Sequence, residues 1–232
     1  MRAVRAGLAD QVVEYLLQDI TEGVYPPGSQ LPPEPVLAEQ AGVSRLTLRE
    51  AIKSLRQRGV VRVEQGRGTF VNETSQWLPF DPKLLVGLVR HDHGVAMQLT
   101  EVRGIVEVGA AGLAAKRRKA SDLAGMRDAL ERMKESQAAG DMVAFSHADI
   151  DFHLAVLNSV DNYFVPALLA PIDAGLREIR VQTSQERRMN ERAIVMHGKI
   201  YDAIRKRSAR AAADLMDRHL EETKRYIAGM SQ

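Results

Sequence analysis

"SRLTLREAIKSLRQRGVVRVEQGRGTFV" (residues 44–71) carries a helix and a hairpin end to end, and its reading decides the fold of the N-terminal part. Leu48, Ala51, Ile52 and Leu55 recur at i, i+3, i+4 and i+7, the spacing of a helix that buries one stripe. Ser44 stands where an N-cap hydroxyl accepts from the first turn, and Gly59 where the helix closes. β-Branched arms on either side of the glycine-bearing "QGRG" then predict a short hairpin over 60–71. Upstream, "EPVLAEQA" and the break "GV" supply a second helix and a tight turn. "LADQVVEYLLQDITEG" (8–23) supplies a first helix, and the prolines of "YPPGSQLPP" (25–33) stop it from continuing. Helices, tight turn and wing together make a winged helix-turn-helix.

The charges of this stretch fall on one edge. Arg45, Arg49, Lys53 and Arg56 run along a face away from the apolar stripe, and residues 44–67 hold seven basic residues against two acidic ones. Residues 1–75 are balanced, with nine of each sign, so the domain is neutral and one edge is positive, as a groove-reading element requires. The start of such a helix enters the major groove, where arginine makes paired hydrogen bonds to guanine. Arg45 and Arg49 are therefore candidates for base contacts, and Ser44 and Thr47 for phosphate or base edges. At the wing tip Gly66 permits close backbone approach and Arg67 suits a minor groove or a phosphate. A solvated basic helix would carry the same charges, but its turn-helix-wing context favours double-stranded DNA as the partner.

The remainder has a different grammar. "NETSQWLPFDPK" (72–83) loses all periodicity and carries two prolines, which predicts a linker over 73–82 after an N-terminal domain of residues 1–72. From 83 to 232 nearly everything is helical in period, with breaks at "HDHG", "AAGD", "SVDNYFVP" and the polar "QTSQERRMN". The expectation is a mainly α protein whose C-terminal half is an all-α bundle of about six helices. At 232 residues, 45% hydrophobic and 27% charged, the composition is that of a globular protein with a real core. There is no cysteine, which excludes a disulfide framework, a thiolate nucleophile and a cysteine-ligated zinc site. No charged-then-apolar leader and no membrane-spanning apolar run are seen, so a cytoplasmic protein with no membrane partner is expected.

"ADIDFHLAVL" (148–157) is unusual because it turns polar groups inward. Asp149 and His153 are four apart, and they share a face with Ile150, Leu154 and Leu157. Desolvated groups of this kind need hydrogen bonds, a counter-charge or a metal. His197 aligns with Ile200, Tyr201 and Ile204, and His219 with Leu215, Met216 and Leu220, so both also face inward. Each histidine alone reads as a satisfied core residue. Together the four form a ligand set on three helices suited to a divalent transition metal, although spacing does not establish that they converge. His91 and His93, in "HDHG", read as solvated, and His147 lies on a different face from His153.

"LPPEPVLAEQAGVSRLTLREAIKSLRQRGVVRVEQGRGTFV" (31–71) resembles the DNA-binding domain of the GntR family of bacterial transcriptional regulators. Its Leu-Pro-x-Glu start, Val-Ser-Arg turn, Leu-Arg-Glu-Ala helix and Gly-Arg-Gly-Thr wing match in order. One departure is Pro35, where the family usually has a basic residue that touches the DNA backbone. The helical half resembles the effector domain of the FadR branch, called FCD, over roughly residues 95–225. Many such domains bind a metal through an Asp-x-x-x-His helix and two later histidines, which implies Asp149, His153, His197 and His219 as ligands of zinc, with nickel or another ion as alternatives. "EVRGIVE" (101–107) resembles the branch's first effector-domain helix, where an arginine is implicated in binding organic acids; this implies Arg103 as a carboxylate clamp. Its planar fork matches two oxygens, although Glu107, one turn on, is also placed for a plain ion pair.

The expectation is a homodimeric regulator, not an enzyme, whose operator affinity responds to a small organic acid held at the metal and Arg103. The alternative is a metal-dependent enzyme fused to a DNA-binding module, since such ligands also activate water. That reading needs a placed base. Glu107 is the only acidic candidate at hand, and Arg103 neutralises it. A constitutive architectural DNA binder leaves the inward polar cluster without a purpose.

Overall fold

A computed structural model describes residues 7–78 and 81–229. The expected domain ends at 1–6 and 230–232, and residues 79–80 of the expected linker, lie outside the described residues. By contacts the chain divides into two compact units, between His91 and Asp92.

The first unit builds on α1 (Leu8–Thr21), α2 (Glu34–Gln40), α3 (Arg45–Gln57) and the antiparallel pair β1 (Val61–Glu64) and β2 (Gly68–Val71). Val61 pairs with Val71 and Glu64 with Gly68, which sets residues 65–67 at the wing tip. The Ser44 hydroxyl caps α3, accepting from Thr47 N at 3.1 Å. Leu48, Ala51, Ile52 and Leu55 then drop into a core shared with Val12, Leu16, Ile20, Leu37 and Val71. Gly59 ends the helix at φ +73°, and a Cβ there would lie 2.4 Å from the Gln76 carbonyl oxygen, so only glycine fits this corner.

The linker reading over 73–82 requires correction. Trp77 is buried in the N-terminal core, and its indole N–H donates to the Asn72 carbonyl at 3.0 Å. The next helix, α4 (Pro82–His91), packs on α1 and contributes Leu84 to the same core. Loss of periodicity signals irregular backbone, but it does not signal release from the core, and one large aromatic anchor is enough to hold such a segment down.

The second unit contains α5 (His93–Arg117), α6 (Ala120–Ala139), α7 (Met142–Asn158), the short α8 (Phe164–Leu169), α9 (Asp173–Thr183), α10 (Arg187–Arg205) and α11 (Ala209–Gly229). Six of these are longer than two turns, the bundle expected from the period. α5 packs along α11 and α6 along α7, while α10 lies against α11, α6 and α5, and α9 rests on α7 and α5. Small residues on α5 (Ala110, Ala111, Ala114 and Ala115) are fully buried and bring α11 close. No helix among the described residues is long and apolar enough to cross a membrane.

Candidate metal centre and DNA-facing helix

α7 places Asp149 and His153 one turn apart, α10 supplies His197 and α11 supplies His219. Each offers one ligand atom, and the four atoms lie within 4.8 Å of one another, all on buried residues. His197 Nε2 is 3.1 Å from His153 Nε2 and 3.6 Å from Asp149 Oδ1, and His153 Nε2 is 3.9 Å from Asp149 Oδ2. Ligands 2.0–2.1 Å from one tetrahedral zinc ion would sit ~3.3 Å apart, so these separations fit a single ion after small side-chain shifts. Phe152 packs on the His197 ring at 4.4 Å and fixes its tilt.

Burial pushes His153 below the ordinary histidine range against the pull of Glu107, and pushes His197 and His219 well below it. For His197 the nearby His153, Arg180 and Arg103 add to the effect, and for His219 so do His197 and His153. Neutral imidazoles are the form that a metal requires. This has a consequence for stability. The unfolded chain takes up protons on these histidines near the ordinary pKa of about 6.5, and the fold resists doing so. Their contribution is therefore complete above pH ~6.5 and is lost as pH falls below it toward the depressed folded-state values. Chelator-treated protein is expected to lose about 1.4 kcal/mol per pH unit per such histidine in that window. Urea midpoints at several pH values check it, and equal midpoints at neutral pH and at 5.5 would contradict it.

A shell of charges surrounds the cluster. Arg103 is buried and gives Nε and Nη2 to Glu107 at 3.0 and 3.4 Å, while its Nη2 also lies 3.4 Å from His153 Nε2. Arg180 donates from Nε to Asp149 Oδ2 at 3.0 Å and from Nη2 to Glu107 Oε1 at 3.5 Å. Burial would raise the Glu107 carboxyl, but Arg103, His153 and Arg180 outweigh it and hold it well below the usual range. Burial and the nearby Arg103 lower Arg180 to about 10 against Glu107 and Asp149. Beside the cluster, a cavity of about 30 Å³ is lined by Arg103, Asp149, Arg180, Ser184, Asn190 and Thr223, among others. That is room for about two water-sized groups, the dimensions of a carboxylate.

The sequence reading did not single out Arg180. The signal was present, because Leu176, Ile179 and Thr183 flank it at inward helical spacing. Arg103, read from the sequence as a carboxylate clamp or the partner of Glu107, is buried with its fork already engaged by Glu107. His147 is exposed, away from His153. His93 differs from the solvated reading: it starts α5, is half-buried, and its Nδ1 has no hydrogen-bond partner. The side chain of His91 lies outside the described residues.

In the first unit, Ser44, Arg45 and Thr47 line the outer start of α3, with Arg45 exposed and Thr47 half-buried. Arg49, two-thirds exposed, reaches back to Glu34 at 2.8 Å, a surface pair worth about 0–1 kcal/mol. Gly66 has φ +74°, which forms the tight wing tip, and Arg67 pairs with Glu64 and stacks over Phe70. Pro35 occupies the first turn of α2, where its fixed φ suits a helix start.

Residues 8–71 match the bacterial regulatory proteins of the gntR family, and residues 98–222 match the FCD domain. The chain is similar to the galactonate operon transcriptional repressor of Escherichia coli, 34% identical over 88% of this chain and 89% of that one. It is also similar to the HTH-type transcriptional regulator LutR of Bacillus subtilis, 30% identical over 90% and 96%. Among solved structures, Lar of Listeria monocytogenes shares the fold, with a TM-score of 0.68 at 20% identity over 97% of this chain and 99% of that one. These families and relatives are transcriptional regulators and not enzymes.

Proposed function

The chain belongs to the GntR family of bacterial transcriptional regulators and carries an FCD domain, and from that premise we propose that a small organic acid, bound beside a divalent metal in the helical unit, sets its affinity for operator DNA. The observation that carries this reading is the convergence of Asp149, His153, His197 and His219 next to two buried arginines. Those four residues would hold the metal, zinc first and nickel as another candidate, which would supply a Lewis-acidic anchor for one end of a carboxylate.

Charge supports an anionic ligand. The guanidiniums of Arg103 and Arg180 cancel the carboxylates of Glu107 and Asp149. A divalent ion would then leave buried positive charge without a counterion, and buried charge is costly unless it is paired. Arg103 lines the cavity, and its Nη1 takes no part in the bonds to Glu107, so it can meet a carboxylate there. Hydroxyl and amide groups of Ser184, Asn190 and Thr223 on the same wall suit a hydroxylated acid, and the relative named for a galactonate operon supports that class.

On the DNA side, a cytoplasmic homodimer would set two α3 helices one helical turn apart on a near-palindromic operator. Ile105 on α5 and Tyr163 and Phe164 by α8 are exposed apolar residues available for pairing. Ser44, Arg45, Thr47 and Arg49 read the groove, while Gly66 and Arg67 approach the backbone. Arg49→Ala is expected to cost about 1–3 kcal/mol at one operator position and to relax specificity there. The weak pair with Glu34 is readily released on binding. Unchanged operator affinity at matched salt would remove this assignment.

A thermal-shift panel of small carboxylates, run with and without chelator, tests the effector reading. An acid at a hundred times its dissociation constant is expected to add about 2.7 kcal/mol, and only when metal is present. If no acid stabilises the metal-loaded protein, the effector reading fails.

A further inference from the structure

We propose that Glu107 is a positioning residue of the metal centre: its carboxylate faces Nδ1 of His153, keeps the ring's proton there as the acceptor of Nδ1–H, and so fixes Nε2 as the nitrogen that faces the ligand cluster. The proposal rests on the metal reading above. It starts from a short contact between helices, with His153 Nδ1 on α7 lying 2.8 Å from Glu107 Oε2 on α5, both side chains 1% exposed. A neutral imidazole carries one proton, and the nitrogen that keeps it is the one that faces an acceptor. With the carboxylate at Nδ1, the lone pair is left on Nε2. That atom lies 3.1 Å from His197 Nε2 and 3.9 Å from Asp149 Oδ2, inside the cluster.

Glu107 is itself held in place. Two N–H groups of Arg103 and one of Arg180 reach its oxygens, so the acceptor is pinned from α5 and from α9. Glu107 is not one of the four clustered ligands, so it acts on the centre through His153. A carboxylate behind a ligating histidine sets the ring's orientation and raises the basicity of the ligand nitrogen, and removing it costs ten- to a hundredfold in metal affinity in comparable sites. Arg180 also touches Asp149, so the arginines at the cavity reach two of the clustered donors, His153 through Glu107 and Asp149 directly.

The test is zinc competition against a chromophoric chelator with the full chain, comparing wild type, Glu107→Gln and Glu107→Asp. Glu107→Gln is expected to bind zinc about ten- to a hundredfold more weakly while its helical circular dichroism is unchanged. Glu107→Asp, which keeps the charge on a shorter stem, is expected to recover part of the loss. A merely structural Glu107 would change melting with and without zinc alike and leave zinc affinity as it was. A folded Glu107→Gln protein with wild-type zinc affinity overturns the proposal and leaves the metal reading standing. A wild-type chain that takes up no zinc overturns both. If Glu107→Gln does not fold, two-bond ¹H–¹⁵N spectra of histidine-labelled wild type decide: an Nδ1–H tautomer for His153 is expected, and an Nε2–H tautomer overturns the assignment.

Discussion

The His197→Ala protein is expected to lose its metal, and with it the stability that the metal confers on the helical unit. His197 is fully buried, and its ring lies between Phe152, His153 and His219 at centroid distances of 4.4, 5.0 and 4.5 Å. The substitution removes one of the four clustered donors, the one on α10, so the remaining three span α7 and α11 alone. Metal that binds the folded form only adds about 2.7 kcal/mol at a hundred times its dissociation constant and about 4.1 at a thousand times. For a chain of this size that is a rise in melting temperature of roughly 5–15 °C. Wild type is expected to show such a zinc-dependent rise, and His197→Ala is expected to show almost none. The variant also opens a cavity, so its chelator-treated form should melt lower than chelator-treated wild type. The zinc-dependent difference, and not the absolute melting point, therefore carries the test. His147→Ala, at an exposed position on the other face of α7, serves as the control and should behave as wild type. An equal zinc-dependent rise in His197→Ala, with metal retained by elemental analysis, would return the four residues to a polar network of the core.

The parts of the molecule that were legible in the sequence are those fixed by local spacing. Leu48, Ala51, Ile52 and Leu55 lie within two turns, so their stripe declares α3 without help from elsewhere. The same holds for Asp149 and His153, four residues apart on α7. What stayed hidden depends on contacts that local period cannot encode. Trp77 looked like part of a linker because its neighbours have no period, yet the ring is buried with α1 and α3. Arg180 sits at inward spacing, but the polar run "QTSQERRMN" just after it read as a loop, whereas only residues 184–186 interrupt the helices there. The turns at 118–119 and 206–208 carried no glycine or proline and went unread. Arg103 shows the limit most clearly: Glu107 at i+4 predicted an ion pair, and nothing in the spacing could show that the same carboxylate also meets His153 from α7 and Arg180 from α9.

The Arg103→Lys protein is expected to keep its fold, its metal and its operator affinity, and to lose most of its response to the acid. Arg103 serves two purposes in this reading, and the lysine separates them. Two of its N–H groups neutralise Glu107 in a fully buried pair, and leaving such a carboxylate uncompensated costs about 3–5 kcal/mol. Arg103→Ala therefore mixes a stability loss with any loss of binding, even though Arg180 still reaches Glu107. Lysine keeps a positive charge beside Glu107 and so limits the first loss. It does not preserve the fork, because one ammonium cannot hold Glu107 and also present paired N–H groups to a carboxylate in the cavity. A hydrogen bond to a charged group is worth about 1.5–3 kcal/mol, so acid affinity should fall by roughly ten- to a hundredfold. Since a ligand shifts an equilibrium only by its differential affinity for the two states, the operator response should require correspondingly more acid. Operator titrations with and without the acid that stabilises wild type provide the measurement. If Arg103→Lys responds at wild-type acid concentrations, the fork belongs to Glu107 alone and Arg103 is not the clamp, which would leave Arg180 as the remaining buried guanidinium on that cavity wall.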